Sequence, residues 1–424
     1  MLCLPSRLKN RSHAFISIVG LCAILATSAF AEESLDPFAR ARKWLENQVL
    51  AQKTGSLLLS YSKPDSSRSF IYDQALAIVA FTILTDYERA ANLIQGLMPL
   101  LEKDGSLQFS YDAKSPCREK QAMVRTGALA WVGYSVCFYL DASGDKKDKV
   151  RFLAFAKKIA RYIRARQIRK KGEIRQGLVT GGRATFRLQV DPKTQHVSEV
   201  FVSGPVTWCS TEHNLDTYFF LKLLERLTGK RAYGKTAGEI KESLLQKCWD
   251  EHLGQFIRGV NLEEQYDRVL ALDCASWGGI FLLSNQEQRK LDVCLPRIRE
   301  RYYNEIGGQR GYKAYFNKLV YENYLVGLSI YPDNPKKTWA QIKAVWPEGT
   351  MGVATLFLKV GKNSQAEDLF RDVEKMQEAS GGILYHSMVI PFEFEMNPSV
   401  ASTAWYIMAR MMAKDERLLK KFWE

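Results

Sequence analysis

The sequence predicts an all-α protein, a ring of six helical hairpins with six apolar helices inside and six amphipathic helices outside. Three observations predict it. A polar or charged turn leading into a helix rich in alanine, leucine and aromatics recurs six times along the 424 residues. These six helices are apolar nearly all round, the mark of helices surrounded by protein. The segments between them repeat apolar residues at three- and four-residue steps, so each packs one stripe inward.

The inner helices are recognised by their leads. Tyr72-Asp73-Gln74-Ala75-Leu76-Ala77 opens the first, and Arg125-Thr126-Gly127-Ala128-Leu129-Ala130-Trp131 the second. Ser210-Thr211-Glu212-His213-Asn214-Leu215-Asp216 opens the third, and Leu272-Asp273-Cys274-Ala275-Ser276-Trp277-Gly278 the fourth. The fifth begins Trp346-Pro347-Glu348-Gly349-Thr350, and the sixth Pro398-Ser399-Val400-Ala401-Ser402-Thr403-Ala404-Trp405. Helix starts are expected near residues 73, 127, 212, 274, 348 and 399, all at one end of a closed ring. Their spacing is too irregular for a solenoid but suits hairpins joined by unequal loops. Pro347 and Pro398 fit position N1, where a missing N–H costs nothing. Ser210 or Thr211 can cap the third helix. Outer helices are expected within 37–52, 86–103, 147–167, 233–249, 286–302 and 364–379, giving six outer–inner pairs. Residues 183–202 alternate polar and apolar side chains about Asp191-Pro192-Lys193 and predict a β-hairpin insertion, part of the rim or a lid.

Residues 1–31 read as a cleavable signal peptide. Arg7, Lys9 and Arg11 form a basic start, Ala14 to Ala26 is apolar but too short to span a bilayer, and Ala29-Phe30-Ala31 offers a small-x-small cleavage site. Cleavage there leaves residues 32–424 as a single toroid domain, exported to the periplasm or the extracellular space. Bulky Leu21 before Cys22 argues against lipid attachment, and no later stretch is long and apolar enough to insert in a membrane. Losing three basic residues with the leader leaves 57 basic against 46 acidic residues, a surplus of +11 that favours acidic partners. That charge is dispersed except at Arg161–Lys171, which reads as the solvated end of an outer helix, so no nucleic-acid partner is expected. Six cysteines remain, and export permits their pairing, yet Cys137, Cys274 and Cys294 fall inside apolar helices, where free thiols are common. The chain has no CxxC, no histidines at metal-ligand spacing, no nucleotide-binding glycine fingerprint and no GxSxG elbow, so neither metal nor cofactor is expected.

Through its six leads the chain resembles the six-hairpin (α/α)6 glycosidase-like superfamily over residues 37–412. The resemblance is architectural and selects no specific family. It implies that the loops before the inner helices cluster round a funnel that holds a sugar chain. Relatives include hydrolases, phosphorylases, uronate lyases and sugar epimerases, so the fold fixes no reaction.

The funnel would gather Asp73, Glu212, Asp216, Asp273 and Glu348, with Glu212 and Asp216 one turn apart on one helix face. Hydrolysing a glycosidic bond needs two carboxyl groups, one to protonate the leaving oxygen and one to activate water or attack the sugar. Tyr72, Trp208, Trp277 and Trp346 flank these acids with flat faces on which sugar rings stack, and His213 adjoins Glu212 as a substrate contact. The helix dipole alone favours acids in a first turn. Their coincidence at four of six corresponding starts is what points to a site.

The expected function is a glycoside hydrolase acting on a poly- or oligosaccharide, neutral or anionic. Glu212 is cast as proton donor and Glu348 as base, with Asp73 and Asp273 holding hydroxyls or water and Asp216 among the binding residues. This casting expects burial to raise the Glu212 pKa and the helix dipole to hold Glu348 low. A uronate lyase is an alternative, drawing on Arg310, Tyr312, Tyr315 and His386 from loops. A non-catalytic glycan-binding or envelope-scaffold protein is another.

Overall fold

A computed structural model describes residues 36–424, apart from 145, 195, 262–264, 321–336 and 391–392. The expected leader at residues 1–31 lies outside the described residues. The inner helices are α2 (Ile71–Ile83), α4 (Thr126–Ser143), α6 (Thr211–Thr228), α8 (Leu272–Ser284), α10 (Pro347–Lys359) and α12 (Val400–Lys414). Each starts within two residues of its expected position. Outside them run α1 (Pro37–Asn47), α3 (Tyr87–Leu97), α5 (Lys149–Arg164), α7 (Arg231–Ser243), α9 (Gln288–Tyr302) and α11 (Asn363–Glu374), and α13 (Glu416–Lys421) follows the last inner helix. Each inner helix packs on the next, and α12 packs on α2, so the ring closes.

The hairpins differ from expectation in one respect. Each outer helix packs on the inner helix before it, and α1 crosses back to pack on α12. The pairs are therefore inner–outer, with the first helix completing the last pair. Connection length explains this. Only two to five residues separate each of the first five inner helices from the outer helix that follows, a length that turns the chain straight back. Three of these turns use glycine in the left-handed region, Gly144 after α4 (φ 62°), Gly229 after α6 (φ 66°) and Gly361 after α10 (φ 75°), to end the helix.

At the other end the long loops are stitched together by backbone hydrogen bonds. The first N–H of an α-helix has no partner within the helix. Here Ile71 N–H donates to Phe109 O, Thr126 to Gly181, Thr211 to Arg258, Leu272 to Ala314 and Val400 to Ser60, at 2.8 to 3.1 Å. Each acceptor lies in the loop ahead of the next inner helix, and the last bond closes the circle. The remaining start is Pro347, which has no N–H to satisfy and sits at N1 as expected. Pro398 does not occupy N1. Ser399 is the cap, accepting from Ser402 N–H, so Pro398 lies one residue outside the helix. Ser210, rather than Thr211, caps α6, and the Thr211 hydroxyl bonds Ile257 O instead.

The β-insertion forms where expected. Strand β1 (Val124–Arg125) pairs with β2 (Gly182–Val190), which pairs with β3 (Val197–Val206) across a turn held by the Asp191 carboxylate on Lys193 N–H and Thr194 N–H. Short strand pairs elsewhere on the rim accompany it. The ring's axis is filled by Trp131, Trp277, Trp405 and Trp423, with Trp277 and Trp405 stacked at 5.6 Å. The six cysteines are free, five of them buried and Cys117 exposed. Among the described residues no helix is long and apolar enough to cross a membrane.

Candidate functional site

Five inner helices bring their first turns to one cavity of about 300 Å³. Helix α6 contributes Glu212, His213 and Asp216, α8 contributes Asp273 and Trp277, and α10 contributes Glu348. Tyr72 of α2 and Trp131 of α4 add aromatic faces, as do Trp208 and Trp346 from the loops. Close approach of α4 to α6 depends on Gly127, where a Cβ would overlap the His213 ring and stand 3.0 Å from Asp216 Oδ2.

The acids form two groups. Glu212 and Asp273 are hydrogen-bonded to one another, and Asp273 also accepts Cys274 N–H at 2.6 Å. Glu348 accepts a 2.6 Å hydrogen bond from the Tyr72 hydroxyl, which in turn accepts Trp405 Nε1–H at 3.2 Å. Asp216 lies one turn below Glu212 and is almost wholly buried. Neither of its carboxyl oxygens has a full hydrogen bond, although the Trp131 indole N–H is near enough to favour its ionised form.

Burial dominates the electrostatics. It pushes Glu212 well above the usual carboxylate range, and repulsion from Asp273, Asp216 and Glu348 adds to it. Asp216 and Asp273 are raised by the same burial, with the Cys274 N–H restraining Asp273. Glu348 is pushed up to about 8, chiefly by burial, against the opposing Tyr72 hydrogen bond. The expectation that the helix dipole holds Glu348 low is therefore overturned, because a helix end counts for less than loss of water around a closed carboxyl. His213 moves the other way, down to about 3, through burial and then Arg125, so its ring is neutral.

Of the residues picked from sequence, Glu212, His213, Asp216, Asp273, Glu348, Tyr72, Trp208, Trp277 and Trp346 all line the cavity. Asp73 does not. It is buried behind the wall, hydrogen-bonded to Ser60, with its pKa raised to about 7 by burial. Of the loop residues considered for a lyase, only Tyr315 reaches the cavity. Arg310 is carried outward to pair with Asp372 of α11 at 3.0 Å, and Tyr312 is buried beside Thr350 of α10. His386 is buried against Phe394, with Nδ1 2.7 Å from Met388 O. Sequence reasoning missed Arg125, Trp131, Phe109, Tyr385 and Phe394 as lining residues. Arg125 and Trp131 lie within the second lead, whose lack of a carboxylate hid its role. The other three come from loops without periodicity.

No family model and no curated protein matches the chain. Solved structures match it in fold. One is a GH76 α-mannanase of Bacteroides thetaiotaomicron, with a TM-score of 0.58 and 13% identity over 93% of this chain and 100% of that one. A glycosidase in complex with glucose gives 0.58 and 11% over 91% and 100%. The cellobiose 2-epimerase of Bacillus thermoamylovorans gives 0.60 and 10% over 88% and 98%. The chain thus has the (α/α)6 toroid fold of these proteins.

Proposed function

We propose that this protein is a carbohydrate-active enzyme that hydrolyses glycosidic bonds, with Glu212 as proton donor and Glu348 as the second catalytic carboxyl. The observation that carries this reading is the meeting of Glu212, Asp273 and Glu348, from three different helices, in one cavity walled by indole and phenol rings. Support in kind comes from the glycosidases that share the fold, one of them in complex with glucose.

A buried carboxyl that keeps its proton at neutral pH is what a general acid requires. The hydrogen bond shared with Asp273 favours the proton on Glu212. Glu348 must lose its proton to activate water or attack the sugar, and the Tyr72 hydroxyl stabilises that ionised form. Both groups are raised, so the rate should climb as pH approaches about 8, where Glu348 ionises, and fall once Glu212 ionises.

The test is to assay purified protein on neutral and acidic polysaccharides, reading new reducing ends and the absorbance of unsaturated products. Glu212→Gln and Glu348→Gln should each lower turnover by at least roughly 100-fold while thermal unfolding stays cooperative. Full turnover in both variants would end the assignment. Unsaturated products would replace hydrolysis with elimination, and isomerised sugars without new reducing ends would replace it with epimerase chemistry.

A further inference from the structure

Arg125 is the sole lysine or arginine among the described residues lining the cavity. It ends β1, one residue ahead of α4, and its guanidinium is held from three sides. Nη1 donates to Ala184 O at 2.7 Å, and Nη2 donates to Thr185 Oγ1 at 3.2 Å and meets Met123 Sδ at 3.0 Å. The same group lies over the Trp208 ring, 5.8 Å from its centroid. None of the described carboxylates forms an ion pair with it, and burial pushes its pKa down.

The hairpin is distorted at the residue that receives the Arg125 Nη1 bond. Between Arg183 and Thr185 the β2–β3 register slips at a bulge, and Ala184 there has φ 58°, a left-handed conformation that costs an alanine about 1–2 kcal/mol. Ala184 is the residue whose carbonyl receives Arg125. Strain of this kind persists where the surroundings impose it, and it clusters at sites that grip ligands. The result is a fixed, partly dehydrated cation with neutral acceptors and unused N–H groups beside a sugar-sized space. A half-buried charge without a counter-charge is poorly compensated until an anion arrives.

We infer that Arg125 binds a carboxylate on the sugar, so that the substrate class is an acidic saccharide containing a uronic acid. This rests on the proposal that the cavity is a saccharide site, and it adds the chemistry of the sugar. The guanidinium's remaining N–H donors and its fixed charge suit a carboxylate, while Trp208 beside it offers a face for the ring. Burial weakens the opposition of the cavity's own acids to such an anion, because it raises Glu212, Asp216, Asp273 and Glu348 and so favours their uncharged forms. The chain's surplus of basic residues, 60 against 46, draws polyanionic glycans toward it.

The experiment compares oligosaccharides matched in linkage, one series uronic and one neutral, with a sulfated series as a third arm. Wild type, Arg125→Met and Arg125→Lys are each measured for kcat/KM and for binding by calorimetry. Wild type should favour the uronic series. Arg125→Met should lower the uronic-to-neutral ratio by roughly ten- to hundredfold, the scale of a hydrogen bond to a charged group. Arg125→Lys should keep part of that ratio, which separates loss of charge from loss of fold. Uronic binding that depends on Arg125 without any turnover would sustain this inference while ending the hydrolase reading. Hydrolysis with the same ratio in all three proteins, or a preference for the sulfated series, would overturn the inference and leave the hydrolase reading standing.

Discussion

Tyr72 and Asp73 are neighbours in the chain, and a helix turns neighbours about 100° apart. That rotation sends Tyr72 into the cavity and Asp73 back toward Ser60. Burial pushes the Asp73 carboxyl up to about 7 in the folded protein, well above the usual carboxylate range. The native state therefore keeps a proton that the unfolded chain releases. The stability from this residue is full below about pH 4 and declines as pH rises toward 7. Asp73→Asn should remove the decline. The variant should unfold at a higher temperature than wild type at pH 8, by a gain on the order of a few kcal/mol, and show no such advantage at pH 4.5. Equal differences at both pH values in thermal unfolding would mean that Asp73 is not held protonated. The same rotation limits what sequence can say about the site. Acids at corresponding helix starts were legible because position and residue type suffice to find them. Which acid faces the cavity depends on the roll of each helix about its axis, which the ring's packing decides. Arg125 was harder still, since its place depends on a carbonyl about sixty residues away in a bulged strand.

Inner helices were legible at the level of elements because burial on every side leaves a run such as Ile78 to Ile83 without a polar face. The hairpin at 182–206 was legible from its alternation and its Asp-Pro turn. Partnering was not. An amphipathic stripe states that a helix faces a core but not which neighbour it meets, and chain order alone pairs α1 with the helix after it. Its true contact is with α12, the sixth inner helix. Trp44 anchors α1, 3% exposed, with its indole N–H on Ser62 Oγ at 3.1 Å. The ring packs over Gly382, where a Cβ would stand 2.5 Å from it. Trp44→Ala should destabilise the protein by about 3–5 kcal/mol, the usual cost of emptying a buried tryptophan site. Activity well below the melting temperature should remain near wild type, because Trp44 does not line the cavity. Chemical denaturation with activity assays on the folded protein checks both halves, and a loss of stability under 1 kcal/mol would show that α1 is not needed to close the ring.

Across the whole molecule, the ring is finished at its two ends by different means. The cavity end is joined round by backbone hydrogen bonds from helix starts to neighbouring loops. The opposite end is filled from the axis by Phe422 and Trp423, beyond α13. Trp423 stacks on Phe219 of α6 at 4.7 Å and 8°, and its centroid lies 5.2 Å from Trp131 and 5.5 Å from Trp277. Its backbone N–H donates to the Tyr134 hydroxyl at 3.1 Å, and its carbonyl accepts from Ser284 Oγ at 2.8 Å. Since Trp131 and Trp277 also line the cavity, Trp423 supports the cavity floor from beneath. Trp423→Ala should therefore do two things. Stability should fall by about 3–5 kcal/mol, as for Trp44→Ala. Turnover should also fall several-fold at a temperature where the protein stays folded, because a loosened floor misplaces the acids by distances to which catalysis is sensitive. Trp423→Phe, which retains a stacked ring on Phe219, should recover most of the rate. Comparison with Trp44→Ala isolates the effect, since that variant loses similar stability and Trp44 makes no ring contact with the tryptophan column. If the two alanine variants keep the same turnover per folded molecule, the column of tryptophans only fills space. If Trp423→Ala alone is slow, the far end of the ring takes part in holding the site.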